Sequence, residues 1–332
     1  MKRRPLGSTG IEVGEVGIGT WELAGDVWGP KDDATSLAAL RAGLEAGANL
    51  IDTAADYGNG HVEGLIGRLL QDVPRDDVVI ATKVRPECGI WAPRPELPIS
   101  DFFRPAWIRS ECEASLRRLG TDHVDVLFLH TWSRSWGHED AWYEAMAALK
   151  AGGKIRAIGI SVADEGAADA NVQVARGQVE VVQAVYSVFQ QEPEVTLFPL
   201  AERCGVGVIA RSPFSSGALV QQWTAGMEFP EGDWRATWPA EVKRDWLDEQ
   251  VRMTGAVGNV MAGSDLDRPA FCLAYALGDH RVSAVLPGSA NPDHVRANVA
   301  ASGGPGLDEA TRQRVKELWL ARTVHGTNNG SG

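Results

Sequence analysis

VDVLFLH, residues 124–130, is a strand-sized apolar run that ends on a histidine. Its hydrophobicity is nearly continuous, as expected of a parallel strand buried on both faces. Seven other runs share the pattern: VGIGT (16–20), ANLIDT (48–53), VVIATKV (78–84), IRAIGIS (155–161), VEVVQAV (179–185), VGVIARS (206–212) and VSAVLPGS (282–289). Helical patterns separate them. DDATSLAALRAGLEAG (32–47) opens on acidic residues and stops at glycine, as helix polarity favours. RPAWIRSECEASLRRLG (104–120) has proline near its start and glycine at its end, with Ile108, Cys112, Leu116 and Leu119 on one stripe. AWYEAMAALKAGG (141–153) and PEVTLFPLAERCG (193–205) follow the same plan. Eight strand-then-helix units in series predict an α/β fold, a (β/α)8 TIM barrel. The competing architecture, an open doubly wound sheet, lacks the GxGxxG that would open the chain.

Three insertions break the rhythm. RRPLGSTGIEVG (3–14) reads as a β-hairpin turning at Gly-Ser-Thr-Gly. Residues 85–103, after strand three, are rich in proline and aromatics, and residues 213–265, after strand seven, carry Trp223, Trp234, Trp238 and Trp246. With a further loop after strand four, they begin where strands end, the face on which barrel enzymes build their sites. LDEATRQRVKELWLAR (307–322) reads as a packing helix. One domain over 1–325 and a disordered tail at 326–332 are expected.

Composition narrows the class. The chain has 332 residues, 44% hydrophobic, with a net charge of −12. Nucleic acid and anionic membranes are therefore not expected partners. No run is long and apolar enough to span a bilayer, and MKRRPLGSTG lacks the apolar stretch of a signal peptide. The four cysteines, Cys88, Cys112, Cys204 and Cys272, are widely spaced and form no CxxC, so reduced thiols in a cytoplasmic protein, without a metal, are expected.

Polar residues gather at the strand ends: Asp52 with Tyr57 just beyond, Lys83, His130, Ser161, Gln183 and Arg211. In a barrel these ends converge on one rim. A lysine at an apolar strand end is costly unless paired. An ammonium beside Tyr57 would favour the phenolate and lower its pKa, while Asp52 would aim the ammonium. His130 would hold or polarise a carbonyl oxygen beside the phenol. The set reads as a proton-delivery device for a carbonyl that receives a hydride.

IDTAADYGNG, ATKV, DVLFLH, GKIRAIGIS and LPGSANPDHVRANVAA together resemble the aldo-keto reductase family over nearly the whole chain. The resemblance implies a soluble NAD(P)H-dependent oxidoreductase that reduces an aldehyde or ketone, sugar-like in one reading, to an alcohol, or runs in reverse. Tyr57 would be the general acid, with Asp52, Lys83 and His130 completing the tetrad. It implies a dinucleotide bound without a Rossmann motif. Gly19, Thr20, Trp21 and Asp52 would lie near the nicotinamide, Ser161 and Gln183 at its carboxamide, and Tyr186 nearby. Arg211 would stand where many members stack an aromatic ring. Ser212, Phe214, Ser216 and Gly217 would hold the pyrophosphate, and Gly288, Ser289, Asn291, His294 and Asn298 the adenosine end. Substrate would meet Trp21, Tyr57, Trp91, His130 and Trp132, with Trp136 either in that wall or in packing.

Two departures stand out. Val162 replaces the usual asparagine after Ser161 and loses one carboxamide contact. The turn GSANPDH has no fixed cation before His294, with Arg296 next, so NADP(H) is the family default and NAD(H) is equally admitted. His61, His123 and His138 are expected away from substrate, Cys88 inert, and Glu45 and Glu63 on solvated helix faces. Two readings compete: a Schiff-base aldolase or isomerase acting through Lys83, and a non-catalytic cofactor-sensing subunit.

Overall fold

The computed structural model describes residues 1–164, 166–221 and 223–326, with side chains to residue 321. Arg3–Pro5 (β1) and Glu12–Gly14 (β2) pair antiparallel, forming the expected hairpin. Eight parallel strands follow among the described residues: Ile18–Gly19 (β3), Leu50–Asp52 (β4), Val79–Val84 (β5), Val124–His130 (β6), Ile155–Ser161 (β7), Val181–Val185 (β8), Gly207–Arg211 (β9) and Ala284–Leu286 (β10). They pair in chain order. The first meets the last through Gly17 N–H to Val285 O (2.9 Å), Val285 N–H to Glu15 O (2.9 Å) and Gly19 N–H to Pro287 O (3.1 Å), so the sheet closes as a barrel.

The helices are Asp33–Glu45 (α1), His61–Leu69 (α2), Pro105–Leu119 (α3), Ala141–Ala151 (α4), Asn171–Ala175 (α5), Pro193–Thr196 (α6), Phe198–Cys204 (α7), Ala240–Met261 (α8), Arg268–Leu277 (α9), Pro292–Ala300 (α10) and Glu309–Gly326 (α11). Local chemistry sets their ends. Asp32 caps α1 by accepting from the Thr35 N–H, while α3 has a proline in its first turn and ends on left-handed Gly120.

Two cores result. One lies between strands and helices. The other fills the barrel, where every second residue points inward: Leu50; Val79 and Ala81; Val126 and Phe128; Ala157; Val181; Ile209; Ala284 and Leu286. Gly159 belongs to this face, and a Cβ there would sit 2.4 Å from the Phe128 ring, so the ring occupies space that only glycine leaves. Leu6, Ile11 and Val13 of the hairpin join the inner core and plug the N-terminal end of the barrel. Gly7 (φ +58°) lies against the β9 entry, where a Cβ would fall 2.3 Å from Gly207 N. With the bottom sealed, the opposite rim remains open to ligand.

The structure corrects several expectations. The helix over 193–205 is broken between α6 and α7, because Pro199 supplies no N–H and its ring obstructs the preceding turn. The insertion 213–265 contains the 22-residue α8. Strand four is followed by only ten residues before α4, five of them (Arg134–His138) in a 3-10 turn, so no long loop stands there. Glu63 is fully buried, accepting from Thr82 Oγ1 (2.6 Å) and Arg118 Nε (2.6 Å), because α3 packs over its face of α2. Glu45 is exposed as expected. Within the expected tail, Gly326 ends α11, and residues 327–332 lie outside the described residues. No described helix is long and apolar enough to cross a membrane. All four cysteines are free.

Two loops cross the open rim together. Trp28 bridges Asp233, Gly29 N–H donates to Gly232 O (3.2 Å) and Trp234 N–H to Val27 O (2.9 Å). Arg235 anchors this strap. It pairs with Asp233 (2.6 Å), donates to Ser216 O (2.7 Å) and lies between the rings of Trp28 and Phe229.

Candidate active site

The inward face explains the polar cluster. Each apolar inward series ends, two residues further on, in a polar or glycine position: Leu50 then Asp52, Ala81 then Lys83, Phe128 then His130, Gly159 then Ser161, Val181 then Gln183, Ile209 then Arg211, Leu286 then Gly288. Parallel register puts these ends at one level, with His130 opposite Ser161 and Ser161 opposite Gln183.

Lys83 is the node. It is 1% exposed, and its three N–H bonds have three acceptors: Asp52 Oδ2 at 2.7 Å, Thr53 O at 2.8 Å and the Tyr57 hydroxyl at 3.4 Å. Asp52 accepts with its other oxygen from Gln183 Nε2 (2.7 Å), and Ser161 donates to Gln183 Oε1 (3.2 Å). A buried charge pair persists only when its remaining lone pairs and protons are satisfied, and here they are.

Sequence reasoning overlooked Asp56. His130 Nδ1 lies 3.0 Å from Asp56 Oδ1. The signal was adjacency, since Asp56 immediately precedes Tyr57, but a carboxylate before a turn glycine reads as turn chemistry. Burial pushes the Asp56 carboxyl up, yet the His130 charge and hydrogen bond, with Lys83, outweigh it and leave it below its ordinary value. Burial holds His130 below the usual imidazole range despite Asp56. Burial, then Asp52 and Asp56, push the Tyr57 hydroxyl well above its ordinary value, against a downward pull from Arg211. The expected acidification of the phenol by Lys83 is therefore outweighed in the free protein, because two carboxylates and burial act the other way. Tyr57 is held protonated, the form a proton donor needs at neutral pH.

A cavity of about 1400 Å³ runs across the rim and under the strap. Its walls include Gly19, Thr20, Trp21, Asp52, Tyr57, Trp91, His130, Ser161, Gln183, Arg211, Ser212, Phe214, Ser216, Gly217, Gly288, Ser289, His294 and Asn298. Lys83 lies behind this wall, reaching it through Asp52 and Tyr57. Three other expected residues lie off it. Tyr186 is buried, with its hydroxyl donated to Glu194 (2.6 Å) and its ring against Phe198 and Tyr275. Asn291 caps α10, accepting from the Asp293 N–H (2.9 Å). Trp132 is buried between Trp136 and Trp142, and Trp136 packs on Phe102, so both belong to the core. Trp21 (38% exposed) stacks on Tyr57, and Trp91 (45% exposed) meets His130 edge-on. Trp28 adds a third aromatic wall. His61 pairs with Asp33, His123 with Asp122, and His138 ends the 3-10 turn, all off the cavity.

The cavity suits a dinucleotide. A Cβ at Gly288 would meet nothing closer than 3.9 Å, so the glycine leaves groove space open. Ser216 holds a left-handed turn (φ 55°), and Ser212, Ser216, Ser289 and Asn298 offer neutral donors along the length. Arg211 donates to Val162 O (3.0 Å) and Asp164 Oδ1 (2.7 Å), which brings the main chain of the departing Val162 into the same network. The cavity lining also carries the basic His294 in the first turn of α10 and the acidic Asp267 at the cap of α9. Arg296 pairs instead with Asp293 (3.0 Å). No cluster of metal ligands occurs among the described residues.

The family model "Aldo/keto reductase family" matches residues 15–320. The NADH-specific methylglyoxal reductase of Escherichia coli (strain K12) is 31% identical over 318 residues, covering 91% of this chain and 93% of that protein. The L-galactose dehydrogenase of Arabidopsis thaliana is 30% identical, covering 95% and 93%. Among solved structures, an aldo-keto reductase from Bacillus halodurans in its holo form superposes with a TM-score of 0.74 at 28% identity, covering 96% of each chain. The glycerol dehydrogenase of Gluconobacter oxydans gives 0.75 at 26% identity, covering 96% and 95%.

Proposed function

Because the chain belongs to the aldo-keto reductase family, we propose that it reduces a small uncharged aldehyde or ketone with a nicotinamide dinucleotide, Tyr57 giving the proton. The observation that carries this reading is the buried Lys83, spanning Asp52 and the Tyr57 hydroxyl at the floor of the groove. When bound, the cofactor supplies the hydride. The chain's own residues do the rest. Tyr57 holds its proton on the hydroxyl until negative charge develops on the carbonyl oxygen. Lys83, 3.4 Å behind that hydroxyl, then stabilises the phenolate left behind, the charge for which a preorganised ammonium matters most. Trp21, Trp28 and Trp91 exclude water and offer faces on which a sugar-like skeleton packs.

Asp56 and Asp164 at this end, with Arg211 already paired, argue against carboxylate or phosphate on the substrate. The relatives named for methylglyoxal, L-galactose and glycerol point to the same uncharged class. We assign NAD(H) as the preferred cofactor. A 2′-phosphate dianion at the adenosine end would face Asp267 without a guanidinium partner, and the Escherichia coli relative is named as NADH-specific. Expected is a kcat/KM for NADH at least tenfold above that for NADPH; the reverse order would overturn the assignment. A Schiff base at Lys83 is disfavoured, since its N–H bonds are all engaged and it lies behind the wall.

The decisive test is Tyr57→Phe, assayed over a carbonyl panel. The variant should keep cofactor affinity within a few-fold and lose about 10²–10⁴ in kcat, the range for a positioned proton donor. Unchanged turnover removes Tyr57 from its role. Tight cofactor binding with no turnover by wild type on any carbonyl would favour a sensing subunit.

A further inference from the structure

We propose that Glu22 enforces the choice of NAD(H): its carboxylate fills the anion position at the start of α10, where it repels a 2′-phosphate and accepts from a free ribose 2′-hydroxyl. The inference rests on the cofactor assignment above and names the group behind it.

The course of the groove places the residue. Asp52, Tyr57 and His130 stand at the mouth of the barrel, so the nicotinamide half belongs there. The same cavity continues past Gly288 and Ser289, beyond β10, and reaches Ala270 of α9 and Ala297 of α10 in the outer helical layer. The adenosine half must run that way, across the turn that opens α10. Glu22 lines the cavity at this crossing. It sits in the short 3-10 turn after β3 with its stem beside Gly288, where a Cβ would come 4.0 Å from Glu22 Cγ.

The turn is built like an anion site that is already filled. Backbone N–H groups at a helix N-terminus favour negative charge. Here the Ala290 N–H donates to Glu22 Oε2 (3.0 Å), the Asn291 N–H to Ser289 Oγ (3.1 Å) and the Asp293 N–H to Asn291 Oδ1 (2.9 Å), while Pro292 has none to give. Glu22 is the one charged acceptor of the three. Among the described residues no cation pairs with it, and its Oε1 has no hydrogen-bond partner. A 2′-phosphate entering the turn would meet like charge and no free N–H from these residues. A ribose hydroxyl brings the proton that such an oxygen lacks. Rejection of the wrong cofactor and acceptance of the right one then fall to one carboxylate.

The rival acid in the lining is Asp267, but its Oδ1 already caps α9 by accepting from the Ala270 N–H (2.9 Å). The test is therefore comparative. Dissociation constants are measured by quenching of tryptophan fluorescence for wild type, Glu22→Gln and Asp267→Asn. The ligands are NADH, NADPH and the fragments 5′-AMP and 2′,5′-ADP, which read the adenosine end without nicotinamide or turnover. Wild type should favour NADH over NADPH, and 5′-AMP over 2′,5′-ADP. Glu22→Gln keeps the shape and an acceptor for Ala290. It should tighten NADPH by about tenfold, the scale for a dianion against one half-exposed charge, and weaken NADH by a few-fold. The fragments should shift in the same two directions. Asp267→Asn should move either ratio less.

Ratios unmoved in Glu22→Gln overturn the proposal. So does a parallel change for both cofactors, which a mere tie between the β3 and β10 turns would give, and so does a larger shift in Asp267→Asn. A wild type that favours NADPH overturns the NAD(H) assignment as well, and one that binds neither dinucleotide overturns the oxidoreductase reading. A wild type that favours NADH by a ratio fixed in Glu22→Gln leaves both readings standing and removes only Glu22, so the failures are distinguishable.

Discussion

At the scale of single residues, the site is a contest between burial and charge. Lys83 escapes the penalty of burial because Asp52, Thr53 and Tyr57 take its protons. Asp56 and His130 titrate within one contact, and both are displaced downward. The sign for stability follows. A depressed carboxylate stabilises the fold above its unfolded pKa, near 3.9, and loses that contribution as pH falls through its folded value. A depressed histidine is neutral when folded, whereas the unfolded chain takes up a proton near pH 6.5, so stability begins to fall below that pH. Both therefore weaken the protein on the acid side. The urea midpoint should drop between pH 7.5 and pH 5.5, and drop less in His130→Gln. An equal drop in the variant would mean that other groups set the acid limb.

At the scale of elements, what was legible followed from period. The eight strands showed in the sequence because inward and outward faces are both apolar, and Asp52, Lys83 and His130 stood out because their inward series end in a polar residue at the rim. Beyond a strand's last residue that alternation stops. Trp132, two residues past His130, turns into the helix layer, and Tyr186, just past β8, turns to Glu194. Neither direction is written in local sequence. Glu63 looked solvated because its partner Arg118 lies 55 residues away. The strap was invisible for the same reason, since Asp233 and Trp28 meet only in three dimensions. Arg235, 5% exposed, fastens the strap to the Ser216 turn on the groove wall. Replacing it in Arg235→Met keeps the bulk between the rings but leaves Asp233 unpaired and releases Ser216 O. Cofactor should then dissociate roughly tenfold or more faster, about 1.4 kcal/mol of lost hold. Stopped-flow release at the wild-type rate would show that the strap does not govern the groove.

At the scale of the whole molecule, the barrel separates what holds it together from what it does. The rim carries the proposed chemistry, while the opposite end carries a buried ion network. Glu15, 2% exposed, accepts from Arg4 Nε (2.9 Å), the Gly303 N–H (2.7 Å) and Ser302 Oγ (3.0 Å). Arg4 also donates to Val282 O (2.7 Å) and Leu277 O (2.8 Å). This one pair thus ties the hairpin to the end of α9, the entry of β10 and the exit of α10, the seam where the last strand meets the first. Glu15→Ala leaves a mostly buried guanidinium without its carboxylate, a loss that typically costs about 3–5 kcal/mol. Stability by urea unfolding should fall by that order. Cofactor Kd and kcat should stay within about twofold under conditions where the variant is fully folded, since residues at the bottom of a barrel serve stability and those at the strand C-termini serve chemistry. A variant as stable as wild type would mean that the hairpin closes the barrel by its apolar plug alone. A stable variant with impaired turnover would instead require the seam to transmit strain to the rim, through Val285 and Gly288, which bond or bridge to the first strand at Glu15 and Gly19.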